Sequence, residues 1–428
     1  MTQIVFLTLF LGLTMGRQPV SVDVTGAVAR VEIALDGKPV AMLSQAPFRA
    51  SVDFGSRLVP RRLVARALDA SGAELARVEQ RINVPHATTE AGLVLEANGA
   101  RLIWQSLESE KPKDVQWMLD GAPLAAKSLR ATLPKLDADK PHLLRAVATT
   151  ATGQVVDAEL VFGGGLTGTT ASTLTPVPLR VETNADAKKS IHVNGSPASV
   201  VAVERLPADI IVVRNPSLVD FAFRVDFDSR TRRRSGFDTF LGNATVPVER
   251  RQGLRFLWPS ASRTRGTSAA DLFPSSRTFM VADAAGMRGV LANVSAPLNE
   301  PFRYADAVAV AALQAAASRR PRAVVLIIGT GHRDMSQLSP RQAKEYLDSI
   351  GVPLFVWTIS ETTPPEWGEA RRIDGSDRLR DAAADLLEEV QRQRIAWIAG
   401  DYMLDEIRVS GERVAPLFKN SPSASPSD

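Results

Sequence analysis

The sequence contains no cysteine, few aromatic residues and almost no excess of either charge. Without cysteine the chain has no disulfide bond, no thiolate nucleophile and no cysteine-ligated zinc site. Aromatic residues make up 6% of the chain, and the 51 basic residues are nearly balanced by 47 acidic ones. Both values argue against a nucleic-acid surface, which combines clustered positive charge with aromatic side chains that stack on bases.

Sequence motifs for catalysis and cofactor binding are also missing. The chain has only four histidines, and those at positions 86, 142 and 192 show no metal-ligand spacing. No phosphate-binding glycine loop opens a helix, and no G-x-S-x-G nucleophile elbow occurs. We therefore expect no cofactor.

The N-terminal segment is apolar from Ile4 to Met15. This run is too short to span a bilayer as a helix, which needs about 20 residues, but it has the length of a signal-peptide core. Thr14 and Gly16 place small residues where cleavage would occur, although no Lys or Arg precedes the run. The alternative is a buried first strand. We expect residues 1–16 to be a signal peptide, the product to be periplasmic, cell-surface or secreted, and no later segment to span a membrane.

An internal repeat organises the next part of the chain. Val31 to Pro39 read VEIALDGKP, and Val115 to Pro123 read VQWMLDGAP. Each is an alternating strand that runs into Leu-Asp-Gly, a hairpin-turn signal. The repeat predicts two Ig-like all-β sandwiches, at residues 17–86 and 87–162. We interpret Asp36 and Asp120 as turn formers, because Asp-Gly supplies the positive φ that such turns need.

The second half of the chain has a different pattern. A Gly/Thr/Pro-rich linker is predicted at 163–178, and a disordered tail at 419–428. Between them, apolar runs such as DIIVV, AVVLIIG, PLFVWTI and IAWIAG alternate with amphipathic helical stretches. Strands that are apolar on both faces, separated by helices, predict an α/β domain with a doubly wound, mostly parallel sheet over 179–418.

Several phrases resemble a known family. They are RRPRAVVLIIG followed by LSPRQAKEYLDSIGVPLFVWTI, together with LRFLWP, DLFPSSRTF and, near the N-terminus, VEIALDGKPVAMLSQAPFRASVDFG. In these the chain resembles the secreted VWFA-related proteins of soil bacteria such as Acidobacteria, in which Ig-like modules accompany a von Willebrand factor type A domain. The resemblance implies a multidomain protein with two Ig-like sandwiches and one Rossmann-like α/β domain.

The resemblance also implies where a metal site would lie. A working type A domain carries Asp-x-Ser-x-Ser after its first strand, and these residues bind Mg²⁺ through oxygen atoms. Here Arg214, Pro216 and Leu218 stand at the three ligand positions, and Ser217 is out of register. A later aspartate position falls in Gly329-Thr330-Gly331, without a carboxylate. Because a guanidinium repels a divalent cation, we expect a degenerate adhesion site without metal.

Arg214 is the most informative of the candidate residues. Its predicted position is the carboxyl end of a strand, where open α/β sheets bind ligands. It either offers a fixed cation to a partner's carboxylate, or pairs with Asp209 or Asp220, or faces solvent. The candidate ligand contacts at this edge are Arg214, Ser217, Thr330, His332 and Asp334.

The function predicted from these observations is an exported, non-enzymatic protein-interaction or adhesion-type protein. Its partner would be a protein or an extracellular or envelope component, not a nucleic acid. Two alternatives remain open: a structural or assembly factor of the envelope, and a hydrolase that uses Ser217, His332 and Asp334.

Overall fold

The structure is a computed structural model. It describes residues 2–10, 12–85, 89–96, 98–106, 111–150, 155–164, 174–182, 187–214, 251–260, 273–294, 301–329, 333–361, 365–411 and 413–419. Over these ranges the strands form seven sheets. We divide them into a first sandwich, a second sandwich, a third β-unit and a six-stranded unit that carries the α-helices.

The first sandwich consists of two antiparallel sheets. Its strands are β1 (Gln3–Phe6), β2 (Arg17–Thr25), β3 (Arg30–Leu35), β4 (Lys38–Leu43), β5 (Phe48–Asp53), β6 (Arg61–Leu68) and β7 (Glu74–Ile82). One sheet has the order β1-β2-β5 and the other the order β4-β3-β6-β7. Val20, Ile33 and Leu63 are fully buried between them, as the alternation of apolar residues along the strands requires.

The second sandwich repeats this strand order. Its strands are β8 (Thr89–Glu96), β9 (Gly99–Ser106), β10 (Pro112–Leu119), β11 (Ala122–Leu124), β12 (Ala126–Lys127), β13 (Arg130–Thr132), β14 (His142–Thr150) and β15 (Val155–Phe162). One sheet has the order β12-β13-β9-β8, and the other β11-β10-β14-β15. The sheet β1-β2-β5 of the first sandwich thus corresponds to β8-β9-β13 of the second. The sheet β4-β3-β6-β7 corresponds strand for strand to β11-β10-β14-β15.

The two Asp-Gly turns confirm the interpretation of the repeat. Asp36 has φ of 50° and Asp120 has φ of 52°, each followed by a glycine of positive φ. Each carboxylate also accepts a hydrogen bond from the neighbouring strand, at 2.8 Å from the Arg62 backbone N–H in the first sandwich and 2.8 Å from that of Leu143 in the second. The aspartates therefore fix strand register as well as turn geometry.

The rest of the chain forms the other two units. Its elements are β16 (Leu174–Val181), β17 (Ile191–Val193), β18 (Ser196–Pro197), β19 (Val200–Glu204), β20 (Asp209–Arg214), β21 (Gln252–Leu257), β22 (Phe279–Val281), α1 (Ala284–Asn293), α2 (Tyr304–Ala317), β23 (Arg322–Ile328), α3 (Pro340–Ile350), β24 (Leu354–Thr358), β25 (Arg371–Arg372), α4 (Ser376–Gln391), β26 (Gln393–Ala399), β27 (Ile407–Val409) and β28 (Val414–Pro416).

The third β-unit is assembled from both ends of this region. Its sheets have the orders β19-β26-β16-β28 and β18-β17-β27, all antiparallel. Everything from β20 to α4 is inserted between its strands β19 and β26. The insertion is the six-stranded unit, in which the order is β22-β21-β20-β23-β24-β25 and only β22 pairs antiparallel. Helices α2 and α3 cover one face of its sheet, and α1 and α4 cover the other.

The predicted fold class, with a mostly parallel doubly wound domain over 179–418, is wrong. Across the described ranges six of the seven sheets are antiparallel, and parallel pairing is confined to one sheet. The run IAWIAG lies in β26, which is antiparallel to β16 and β19 in a separate sheet. An apolar run that is buried on both faces has the same pattern in either sheet type, so periodicity could not assign it. The type A resemblance stays a prediction.

The N-terminal apolar segment is part of the first sandwich. Strand β1 pairs with β2, and Ile4 is only 5% exposed. Farther along, the Thr14 backbone N–H donates to Asn83 Oδ1 at 2.6 Å, and Asn83 Nδ2 donates back to the Thr14 carbonyl at 2.8 Å. Leu13 and Met15 pack against the core beneath α2 and α3. Signal-peptide cleavage stays a prediction, and it would remove all of these contacts.

Replacing Ile4 with alanine tests whether this segment supports the fold. We expect Ile4→Ala to lower the free energy of unfolding by about 2–5 kcal/mol, because it leaves a cavity in the sandwich core. Leu9→Ala, at a side chain that is 63% exposed, should change it by about 0.5 kcal/mol or less. Urea denaturation followed by circular dichroism measures both. Equal effects of the two substitutions would contradict the packing of β1.

Candidate functional site

The candidate site predicted from the sequence is the edge of the six-stranded sheet where its parallel strands end. Strand β20 ends at Arg214, and the neighbouring strands β21 and β23 end at Leu257 and Ile328. Backbone groups beyond such strand ends have no partner in the sheet. The loops that follow the strands lie there, and ligands of open α/β sheets bind at this edge.

Arg214 is buried at this edge, with no exposed surface. Its Nη1 donates to the Leu291 carbonyl at 2.7 Å, and its Nη2 donates to the Val294 carbonyl. The guanidinium also lies over the rings of Phe256 and Trp258, 4.8 Å and 5.7 Å from their centroids. The side chain therefore contacts one helix end and one aromatic pair within the fold.

These contacts give Arg214 a structural role at the carboxyl end of α1. The last carbonyl groups of a helix have no partner in the helix, and they carry the negative end of its dipole. Helix α1 has no basic residue in its last turn, so the neighbouring strand supplies the cation. Asp209, which the sequence offered as a partner, instead pairs with Arg255 at 3.1 Å. Asp220 lies outside the described residues.

Asp334 caps a different helix. Its Oδ1 accepts from the Tyr304 backbone N–H at 3.0 Å, and its Oδ2 accepts from that of Ala305 at 3.2 Å. Arg303, the N-cap residue of α2, provides no side-chain cap of its own. A second hydrogen bond joins the same two segments in the opposite direction: the Asp306 carboxylate, on α2, accepts from the Leu338 backbone N–H at 2.9 Å. Both oxygens of the predicted site carboxylate are thus used to begin α2.

The other candidates lie outside the described residues. They are Pro216, Ser217, Leu218, Thr330 and His332, so the structure places only Arg214 and Asp334, and these two contact different helices. Within the ranges given above, no group of three or more His, Asp or Glu side chains is arranged to hold a metal ion. None of the helices there is long and apolar enough to cross a membrane.

A second buried arginine escaped the sequence analysis. Arg322 is 4% exposed, and its guanidinium donates to the carbonyls of Ala316, Ile350 and Gly351 at 3.2, 3.0 and 3.0 Å. It therefore joins the carboxyl ends of α2 and α3. Burial lowers its pKa to about 10, so the group stays charged at neutral pH. The sequence signal was an arginine at the first position of the otherwise apolar strand RAVVLII.

A buried ion pair joins the second sandwich to the third β-unit. Arg145, on β14, is 1% exposed and forms ion pairs with Glu159 at 3.4 Å and with Glu204 on β19. Its guanidinium lies 5.6 Å from the centroid of Trp397 on β26. Trp397 Nε1 in turn donates to Glu204 at 2.9 Å. Removal of one partner would leave an uncompensated buried charge, so this contact between the two units is costly to break.

The first sandwich is held against the six-stranded unit by mixed contacts. Leu58, which is 1% exposed, belongs to the core beneath α2 and α3. Tyr346, on α3, donates its hydroxyl to the Asn83 carbonyl at 3.1 Å, and Gln342 donates to the Ser56 carbonyl at 2.8 Å. The first sandwich is therefore a fixed part of the structure.

One surface of the first sandwich is apolar and exposed. Val5, Leu7 and Leu9 are 40%, 62% and 63% exposed, and we call these three side chains the apolar edge. Among the described strands β1 pairs only with β2, so its other side has no hydrogen-bonded neighbour. No charged residue occurs from Gln3 to Phe10. The sequence analysis treated this run as a signal peptide or a buried first strand and so missed it as a surface.

Comparisons with known proteins give distant matches to β-sandwich modules. No family model and no curated protein matches the chain. The fibronectin(III)-like modules of Clostridium thermocellum CbhA are 13% identical, with 18% of this chain and 92% of that one covered and a TM-score of 0.17. The central fibronectin-III array of RIM-binding protein is 12% identical, with 42% and 81% covered and a TM-score of 0.18.

A tetra-tandem repeat from the extending region of a large adhesion protein is 15% identical. This match covers 44% of this chain and 54% of that one, with a TM-score of 0.14.

The strand order described above gives the two sandwiches their Ig- and fibronectin type III-like character. A coarse fold of tandem sandwich modules is therefore established for the first part of the chain.

The cap formed by Arg214 can be tested by replacement with methionine. Arg214→Met removes the donors to the buried Leu291 carbonyl and the partly buried Val294 carbonyl, and an orphaned buried carbonyl costs about 1–3 kcal/mol. Arg380→Met, on α4, breaks an exposed ion pair with Asp377 that is worth about 1 kcal/mol or less. Chemical denaturation of both variants compares the losses. A smaller loss for Arg214→Met than for Arg380→Met would contradict the capping role.

The cap formed by Asp334 predicts a helix-specific effect. Asp334→Ala should cost about 0.5–2 kcal/mol, the usual value for loss of an N-cap acceptor. Hydrogen exchange should speed up first in the amides at the start of α2. Asp381→Ala, at a side chain on α4 that is 61% exposed, is the control and should leave that exchange unchanged. Unaltered exchange in Asp334→Ala would show that this carboxylate does not hold the helix.

Proposed function

We propose that this chain is a non-enzymatic protein-interaction protein whose apolar edge binds another polypeptide. The observation that carries the proposal is the exposure of Val5 on β1, a strand with one unpaired side, and of Leu7 and Leu9 in the segment that follows it. Isolated apolar side chains are common on protein surfaces, but several exposed apolar side chains beside an open strand edge are typical of a contact site.

The two edge strands of the other sheet, β4 and β7, differ from β1 in their charged residues and proline. Strand β4 begins with Lys38 and Pro39, and β7 carries four charged residues in ELARVEQRI. Charges and proline on an edge strand prevent pairing with a foreign strand. Strand β1 has neither, so it is the edge of this sandwich that remains open to an added strand.

The expected mode of binding is the addition of an extended apolar segment beside β1. Backbone hydrogen bonds would supply part of the affinity, and the apolar edge would select apolar side chains in the partner. The contacts of Leu58 and Tyr346 hold the sandwich against the six-stranded unit. A fixed strand loses little conformational entropy on binding, which favours affinity.

The proposed binding site and the predicted signal peptide occupy the same segment of the chain. The apolar edge lies within the predicted signal peptide, so the binding function requires residues 4–15 to remain in the folded protein. If the protein is exported, its partner is an envelope or extracellular polypeptide. The identity of that partner then distinguishes an adhesion-type role from a structural or assembly role in the envelope.

Affinity capture with matched variants tests the proposal. The purified chain and the double variant Leu7→Lys/Leu9→Lys are immobilised, exposed to lysate and medium of the producing cells, and compared by quantitative mass spectrometry. Val40→Lys/Met42→Lys is the control, because these side chains on β4 are 44% and 51% exposed. We expect a partner that is lost only with the first variant and retained in EDTA.

The captured partner is then purified and its binding is measured directly against the same three proteins. Equal affinity for the chain and for Leu7→Lys/Leu9→Lys would overturn the assignment of the apolar edge. Loss of binding in EDTA would contradict the metal-independent mode.

A further inference from the structure

His142 lies at the start of β14 with both ring nitrogens against acceptors. Nδ1 is 2.8 Å from Asp120 Oδ2, and Nε2 is 3.1 Å from the Asp137 carbonyl. A neutral imidazole donates from one nitrogen only, whereas the imidazolium donates from both. The arrangement therefore satisfies both contacts only when His142 is protonated. Phe162 packs beside the ring, with 5.7 Å between centroids.

The first sandwich carries an arginine at the corresponding place. Arg61 begins β6 and donates to Asp36 Oδ2 at 2.6 Å, and a second nitrogen donates to the Phe54 carbonyl at 3.3 Å. Phe54 lies in the loop that precedes β6, as Asp137 lies in the loop that precedes β14. Both sandwiches thus use one cation to join the Asp-Gly turn to this loop. The cation is permanent in the first sandwich and titratable in the second.

The loop held by His142 also contacts the chain that leaves the second sandwich. The Gly164 backbone N–H donates to the Ala138 carbonyl at 2.9 Å. Gly163 has φ of 83°, and a Cβ added there would lie 2.3 Å from the Lys140 carbonyl oxygen. Loop 137–141 and the exit at Gly163–Gly164 are therefore in direct contact.

We propose that His142 is a proton-operated clamp at the exit of the second sandwich. When the ring is protonated it ties the turn at Asp120 to loop 137–141, and the exit at Gly163–Gly164 packs on that loop. Deprotonation removes one of the two hydrogen bonds and loosens both segments. The clamp goes beyond the proposed binding function and does not depend on it.

The charges around His142 set the direction of the pH dependence. The hydrogen bond to Asp120 is the main cause that raises the pKa of His142 above its usual value, while partial burial opposes it. Asp137 adds to the rise, although its carboxylate also pairs with Lys140 at 3.2 Å. Since the folded protein binds this proton more tightly, the stabilisation is complete below the usual pKa. It is lost as the pH rises through the raised pKa.

Hydrogen exchange at about pH 5 and about pH 8, on either side of the usual histidine pKa of about 6.5, measures the clamp. Exchange rates are corrected for their intrinsic dependence on pH. For the intact chain we expect loop 137–141 and the exit to lose protection at the higher pH. The loss should be about tenfold for each pH unit by which folding raises the pKa of His142.

Two reciprocal variants provide the controls. His142→Arg should keep the loop protected at both pH values, as arginine does in the first sandwich, and Arg61→His should make the loop before β6 sensitive to pH. NMR titration of the His142 ring in the unmodified chain gives its pKa independently of any variant. The proposal is overturned if that pKa is not raised, or if His142→Arg shows the same pH dependence as the unmodified chain.

Discussion

Strand β26 is the structural constraint on which the arrangement of the units depends. It is hydrogen-bonded to β16 on one side and to β19 on the other, and it closes the third β-unit around the six-stranded insertion. Thr175 Oγ1 donates to the Gly400 carbonyl, 225 residues later, at 2.8 Å. The same strand carries Trp397, which contacts Arg145 of the second sandwich. The Gln393 side chain accepts from the Arg322 backbone N–H at 2.8 Å, so β26 is also hydrogen-bonded to strand β23 of the six-stranded unit.

Buried arginines serve as connectors in several units. Arg214 and Arg322 bind helix carboxyl ends, and Arg145 joins two units through Glu204. Each planar guanidinium donates several hydrogen bonds in fixed directions, which lysine does not reproduce. The edge of the sheet that the sequence offered as a ligand site is therefore occupied, over the described residues, by groups that the fold itself needs. The exposed apolar surface described above lies on the first sandwich instead.

Local features of the fold could be predicted from the sequence, and distant ones could not. The Asp-Gly turns follow from backbone preference alone, and the repeat of VEIALDGKP reveals two similar sandwiches. The assignment of IAWIAG failed because its partners, β16 and β19, are distant in sequence and its pattern fits either sheet type. Arg214 was placed correctly at a strand end, but its acceptors at Leu291 and Val294 belong to a helix about 80 residues later. The pairing of β1 with β2 and the hydrogen bonds between Thr14 and Asn83 depend on tertiary contacts that periodicity does not contain, and signal-peptide cleavage stays a prediction.

Photo-cross-linking from the apolar edge tests the central claim of a protein-interaction function most directly. A photoreactive amino acid is placed at Leu7 in the full chain within its own cells, and at Met335, which is 50% exposed on the six-stranded unit, as the control. The account predicts a covalent adduct with a second polypeptide from position 7 and none of that mass from position 335. An absence of adducts from position 7, or the same adduct from both positions, would contradict it.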